Sequence, residues 1–282
     1  MGRLTDLRHY DTDKMGSDYL VIYEEYFKPL VDREIKLLEL GVLKGGSVLM
    51  WRDYFKKGAI VGLDINPVQI EDKTGRIHIY EGRQEDTCLL DRIAAEQAPE
   101  GFDVIIDDCS HIGELTRISF WHLFENHLKP GGIYAIEDFG TGYRDDCPDG
   151  RHYGQAVPTV PDDMGVPDRA TGRRPRMTAV FVWLSRMPIV GLLLRKTYRR
   201  ACRVSMRLRG YIFRSEIPKS QIQKSQIPSH MYGMVGFVKE LVDACCLNSW
   251  VELEWGNGPR RHSKVARLQF FCNIAVVVKS QP

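Results

Sequence analysis

The sequence lacks any paired-cysteine pattern: its seven cysteines are odd in number, and no two form a C-x-x-C. That argues against a secreted disulfide framework and against a structural zinc site. It also lacks an excess of either charge. Thirty-nine Lys and Arg stand against 37 Asp and Glu, a balance of +2, so net charge points to no class of partner. The start, Met1–Tyr10, is polar and has no apolar core behind it, so no signal peptide is expected and the expected compartment is the cytoplasm. No run supplies the about 20 clean apolar residues of a spanning helix. Met177–Leu194 comes nearest, and Arg186 and Pro188 interrupt it. Disordered and collagen-like compositions are absent too, with 43% hydrophobic residues. A length of 282 residues suits one large domain, or one domain with an insertion.

What is present is an alternation. Short apolar runs at Leu37–Val42, Ala59–Ile65, Ile77–Tyr80, Phe102–Ile106 and Gly132–Ile136 read as strands. Helical spacing falls at Gly46–Phe55, Thr87–Gln97 and Leu115–Leu128. Strands this apolar, separated by helices, predict a parallel sheet covered on both faces. Towards the end, a helix over Tyr232–Cys246 precedes strands at Trp250–Trp255 and Ala266–Lys279, joined through the turn signal Gly256-Asn257-Gly258-Pro259. They predict a C-terminal antiparallel hairpin. The expected class is α/β, doubly wound, with a mostly parallel seven-stranded sheet. Residues 144–229 break the pattern and read as an insertion within a single domain covering 1–282.

Two constellations carry chemistry. In Glu39-Leu40-Gly41-Val42-Leu43-Lys44-Gly45-Gly46-Ser47, an acid within the first strand is followed by glycines that open a helix. Such a turn lets the backbone approach a ligand, and Asp64 ends the second strand where an acid accepts from ribose hydroxyls. The turn departs from G-x-G-x-x-G, which favours a nucleoside-bearing cofactor over a dinucleotide. The second constellation is Asp107-Asp108-Cys109-Ser110-His111 after the fourth strand, with Glu137-Asp138 after the fifth. Ligands of open parallel sheets sit at the carboxyl ends of the strands. Clustered acids there repel one another unless a cation intervenes. Three of them would make a hard oxygen site for Mg²⁺ or Mn²⁺, with His111 as a general base. The alternative is that strand ends are simply polar and that His111 caps the next helix.

Taken in order, Thr12-Asp13-Lys14, LLELGVLKGGSVLMW, GLDI at Gly62–Ile65, Gly82-x-Gln84-x-Asp86, IIDDCSH, LKPGGIYAIEDF and the closing VKELVD helix resemble class I S-adenosylmethionine-dependent sugar O-methyltransferases of the macrocin and mycinamicin type. The resemblance covers about residues 9–143 and 230–280. It implies a Rossmann-like methyltransferase fold and a Mg²⁺-dependent enzyme methylating a sugar hydroxyl of a glycosylated or lipid-linked acceptor. By the same resemblance Asp108, Glu137 and Asp138 match metal ligands and His111 matches the base. Glu39, Gly41, Ser47, Asp64, Gln84, Asp86 and Asp107 fall on the cofactor-binding motifs, and Thr12 on the segment that covers the cofactor. Two other readings stand beside it: a metal-dependent catechol or phenol O-methyltransferase, and a catalytically silent, membrane-associated protein that kept the cofactor fold.

Between Arg173 and Lys219 lie thirteen basic residues and one acid, Glu216, next to apolar and aromatic side chains. Residues 177–214 read either as a helical lid over the acceptor cleft or as a peripheral contact with anionic membrane. No recognisable RNA-binding module is present, so no nucleic-acid partner is expected. An N-terminal helix over Tyr19–Leu30, with tyrosines at 19, 23 and 26, could support self-association, cover the cofactor or fill the core.

Overall fold

The apolar runs become strands because their side chains alternate between two buried faces. In β1 (Lys36–Leu40), β2 (Ala59–Asp64) and β4 (Phe102–Asp107), Leu38, Leu40, Val61, Leu63 and Ile105 enter one core. Leu37, Ile60, Val104 and Ile106 enter the other, as the two-residue period of a strand requires. The computed structural model describes residues 3–7, 9–15, 18–144, 146–151, 233–246 and 263–282, all within one compact unit. Around the sheet stand α1 (Tyr19–Phe27), α2 (Gly46–Tyr54), α3 (Thr87–Gln97), α4 (Gly113–Asn126) and α5 (Gly233–Cys246). Leu89, Leu90 and Ile93 of α3, Phe120, Leu123 and Phe124 of α4, and Phe237 and Leu241 of α5 fill the first core. Tyr23 and Phe27 of α1 and Val48, Met50 and Trp51 of α2 fill the second. Each fully buried large apolar side chain stabilises the fold by about 1.5–3 kcal/mol.

With β3 (Ile77–Glu81), β5 (Leu128–Glu137), β6 (Val265–Phe271) and β7 (Ile274–Lys279), the sheet runs β3-β2-β1-β4-β5-β7-β6. The first five strands are parallel, while β7 pairs antiparallel with both β5 and β6. This is the Rossmann-like methyltransferase fold, with the expected doubly wound sheet and antiparallel C-terminal pair. The strand order reverses between β1 and β4, which opens a crevice at their carboxyl ends.

The described hairpin lies within what the sequence reads as a single strand. Ala266–Lys279 is not one strand: it turns at Cys272-Asn273, and Asn273 takes φ 69°, a left-handed conformation that asparagine tolerates. A stretch with no Gly or Pro at its turn reads as continuous. The partner strand expected at Trp250–Trp255, the Gly256–Pro259 turn and the lid or membrane segment 177–214 lie outside the described residues. Among the described residues, no helix is long and apolar enough to cross a membrane.

One carboxylate joins two helix starts. Asp149 Oδ2 accepts from the Gly113 and Met234 backbone N–H groups, each at 2.7 Å, placing negative charge at both N-termini. His111 therefore does not cap α4; Ile112 occupies the N-cap position without a side-chain bond.

Candidate active site

Glu39 sits in mid-strand and points into the second core, fully buried. A buried carboxylate needs partners: Ser47 Oγ donates to its Oε2 at 2.8 Å and Trp51 Nε1 to its Oε1 at 3.3 Å. The acid thus ties β1 to α2. At Gly41, φ is +87° and a Cβ would lie 1.9 Å from the Asp108 carbonyl oxygen, so only glycine lets the ends of β1 and β4 meet. Asp64 closes β2 and grips this turn: its Oδ2 accepts from the backbone N–H groups of Val42 and Leu43, both at 2.9 Å. Burial raises its pKa, but backbone donation from Asn66, Leu43 and Val42 outweighs that and leaves the carboxyl below its usual range.

Gln84, Asp86 and Asp107 hold the frame. Gln84 Oε1 accepts from Ser110 N at 3.0 Å, while its Nε2 donates to Ser119 Oγ at 3.2 Å. It thereby bolts the loop after β4. Asp107, almost fully buried, accepts from Ser119 Oγ at 3.1 Å and Tyr134 OH at 3.2 Å. Burial pushes its carboxyl up to about 7, against the lowering effect of those two hydroxyls. Asp86 is the N-cap of α3, accepting from Leu89 N at 3.1 Å.

Past β4 and β5, three side chains converge. Ligand atoms of Asp108, His111 and Asp138 all lie within 4.8 Å of one another, and His111 Nε2 is 3.8 Å from Asp108 Oδ1. His111 and Asp138 both hold positive φ, 53° and 54°. Asp and His are among the residue types that tolerate this region, at a cost of order 1–3 kcal/mol, and such strain concentrates at functional sites. Tyr19 OH donates to Asp138 Oδ1 at 2.6 Å, and Asn273 Nδ2 donates to the same oxygen. Two carboxylates and an imidazole suit a divalent cation.

Glu137 is not part of this convergence. Tyr23 OH donates to its Oε1 at 2.5 Å, and Lys14 Nζ to its Oε2 at 3.0 Å. Lys14 also reaches Asp108 Oδ2 at 2.5 Å and Glu39 Oε1 at 3.4 Å, with its side chain almost fully buried. Burial works against its charge, yet Glu137, Asp108 and Glu39 outweigh burial and hold its pKa well above the ordinary lysine value. Burial drives Glu137 upward in spite of Lys14. Glu39, Asp108, Glu137 and Asp138 thus crowd around one lysine, and a divalent cation is the kind of partner that eases repulsion among such acids.

Lys14, Asp108 and His111 border a cavity of about 730 Å³. Of the residues expected from sequence, Thr12, Gly41, Ser47, Asp64, Gln84, Asp108 and His111 line it; Glu39, Asp86, Asp107, Glu137 and Asp138 are not among its lining residues. The volume lies within the range of small-molecule sites. Gly41 and Gly46 both line it, and at Gly46 a Cβ would lie 1.8 Å from Asp11 O, so glycine there lets the N-terminal segment close against the turn at the cavity wall.

Sequence reasoning assigned no role to Lys14, Tyr19, Tyr23 or Asn273 at the acidic edge. Lys14 stood within a quoted motif, but its partners lie 94 and 123 positions away and no local period marks it. Tyr19 and Tyr23 are buried within the chain's own core, with their hydroxyls turned to acids.

No protein-family model matches the chain. The chain is 41% identical over 128 residues to mycinamicin VI 2''-O-methyltransferase of Micromonospora griseorubida, covering 43% of this chain and 31% of that protein. It is 40% identical over 147 residues to demethylmacrocin O-methyltransferase of Streptomyces fradiae, covering 48% and 35%. The chain thus spans about a third of the length of these curated relatives. Among solved structures, MycE methyltransferase from the mycinamycin biosynthetic pathway, in complex with Mg and SAH, superposes with a TM-score of 0.62 at 25% identity, covering 99% of this chain and 54% of that one. A MycE complex that also contains mycinamycin VI gives a TM-score of 0.58 at 25% identity, with the same coverage. The resemblance carried by the motifs is therefore met by relatives of the expected kind.

Proposed function

We propose that this chain carries the catalytic domain of a Mg²⁺-dependent O-methyltransferase that places the S-adenosylmethionine methyl group on a sugar hydroxyl of a glycosylated small molecule. The observation that carries the reading is the convergence of Asp108, His111 and Asp138 beside a cavity floored by the Gly41 turn. The similar proteins named above supply the acceptor class and the two cofactors.

Asp108 and Asp138 would hold the cation, and Glu137 supports them by fixing Lys14. A bound divalent cation supplies Lewis acidity that makes a hydroxyl easier to deprotonate. S-adenosylmethionine supplies an electrophilic methyl group. His111 takes the acceptor hydroxyl's proton at a ring nitrogen while the oxygen–methyl bond forms and the sulfur–methyl bond breaks, which would leave S-adenosylhomocysteine. Asp64 orients the ribose hydroxyls, and Thr12 and Ser47 border the cofactor. Asp86 and Asp107 act as positioning residues through α3 and the loop after β4. Holding both reactants in register supplies much of the remaining rate. Acceptor recognition is proposed for 177–214, as a lid or as a contact with anionic membrane.

The test is turnover on a panel of glycosides and catechols, with and without Mg²⁺. Methylation of glycosides that collapses with EDTA and returns with Mg²⁺ supports the reading. Full activity after EDTA removes the metal, preference for catechols overturns the acceptor class, and silence throughout the panel favours a binding protein.

A further inference from the structure

A second convergence lies at the other end of the sheet. Asp91 stands in the middle of α3, His122 near the end of α4, and His127 immediately after it. His122 Nε2 is 2.7 Å and His127 Nε2 2.6 Å from the same atom, Asp91 Oδ1. The two rings are 5.4 Å apart and tilted by 56°, so they splay around that oxygen instead of stacking. The His127 carbonyl accepts from Phe102 N at 2.7 Å, beside the first residue of β4, whereas Asp108 follows its last. Six residues of strand at roughly 3.3 Å each separate the two ends by about 20 Å. The cluster is therefore not part of the cavity, and it does not rest on the methyltransferase reading.

Three donors from two helices already face one point, with all ligand atoms within 4.8 Å of one another. The imidazoles are held, with side chains 19% and 20% exposed, while Asp91 at 55% faces solvent. A cation entering there meets prearranged ligands and keeps one side open to water. Two imidazole nitrogens and one carboxylate oxygen form a borderline donor set that suits Zn²⁺, whereas Mg²⁺ takes oxygen ligands and keeps its own waters. We propose that Asp91, His122 and His127 form a binding site for one Zn²⁺-type transition-metal dication that pins α3 to α4 at the end of the sheet remote from the cavity. In the absence of the metal, the imidazole N–H groups hold the carboxylate in place of the ion.

The active-site donors can also take Zn²⁺, so the experiment needs arms that separate the two sites. Untagged full-length protein, saturated with Mg²⁺, is titrated with Zn²⁺ by calorimetry as wild type, as Asp108→Asn, and as the double variant His122→Asn/His127→Asn. One Zn²⁺ bound by wild type and by Asp108→Asn is expected. The double variant is expected to lose more than the roughly 100-fold that an outer-shell partner is worth. Equal binding by all three proteins, or binding that vanishes only with Asp108→Asn, overturns the site. Should the double variant fail to fold, Zn²⁺-soaked crystals of the wild type decide by anomalous scattering at the zinc edge. A peak among the three side chains supports the site, and its absence there overturns it.

Discussion

Lys14 Nζ lies 2.5 Å from Asp108 Oδ2, so an ammonium from the N-terminal segment is the immediate neighbour of a carboxylate that also faces the proposed metal position. The same nitrogen lies 3.4 Å from Glu39 and 3.0 Å from Glu137. The site thus has a fixed cation on its buried side and space for a second on its open side. Removing one partner of a buried ion pair costs about 3–5 kcal/mol. Lys14→Met is expected to lower the melting temperature by roughly 10 °C, given about 2–4 °C per kcal/mol for a chain of this size. Mg²⁺ should then raise the variant's melting temperature more than it raises that of wild type. Equal Mg²⁺ shifts in differential scanning fluorimetry would show that Lys14 is not the counter-ion of these acids.

His111 is held by its left-handed backbone conformation beside Asp108. As the proposed base, it would contribute through the transition state and not through cofactor binding. His111→Ala should cut kcat by about 10²–10⁴ and leave S-adenosylmethionine affinity unchanged by calorimetry. A loss below about tenfold, or about 1.4 kcal/mol of barrier, assigns the proton to another group.

Asp107 offers a pH signature. Its folded pKa of about 7 lies above the unfolded value near 3.8, so the folded chain binds the proton more tightly. The stabilisation it contributes is complete below the unfolded value and is lost as pH rises towards 7, with no further change above that. At about 1.4 kcal/mol per pKa unit the loss is on the order of 4 kcal/mol. Asp107→Asn, which keeps the shape, should flatten this fall. Urea midpoints of wild type and variant should converge at acid pH and separate between about pH 4 and 7, with the variant the more stable above that; parallel curves would refute the assignment.

Gly41→Ala combines a disfavoured backbone angle with a clash against the Asp108 carbonyl. Alanine where φ is positive destabilises by more than the roughly 0.4–1 kcal/mol that a compatible Gly→Ala gains. The expected outcome is a lower melting temperature together with weakened S-adenosylmethionine binding. Unaltered affinity in a folded variant would separate this turn from the cofactor.

How much of this could be read beforehand depended on range. The strands announced themselves because Leu37 to Leu40 or Val104 to Ile106 are buried on both faces, a signal contained in a few neighbouring letters. Asp108, His111 and Asp138 were legible because the fold class places the ends of β4 and β5 together. Lys14, Tyr23 and Asn273 were not, since their contacts join positions more than a hundred apart or nearly so, through side-chain orientation alone. Glu137, expected from the resemblance as a metal ligand beside Asp138, shows what a local pattern leaves out: its bonds to Tyr23 and Lys14 had no mark in the sequence.

The turn at Asn273 has a temporal consequence. Its Nδ2 donates to Asp138, its Oδ1 accepts from Gly140 N at 2.7 Å, and its carbonyl accepts from Tyr19 OH at 3.1 Å. During synthesis on the ribosome, the loops that bear Asp108, His111 and Asp138 emerge well before residue 273 does. The nascent chain can close its central strands early, but it cannot set Asp138 in its mature surroundings until this hairpin arrives.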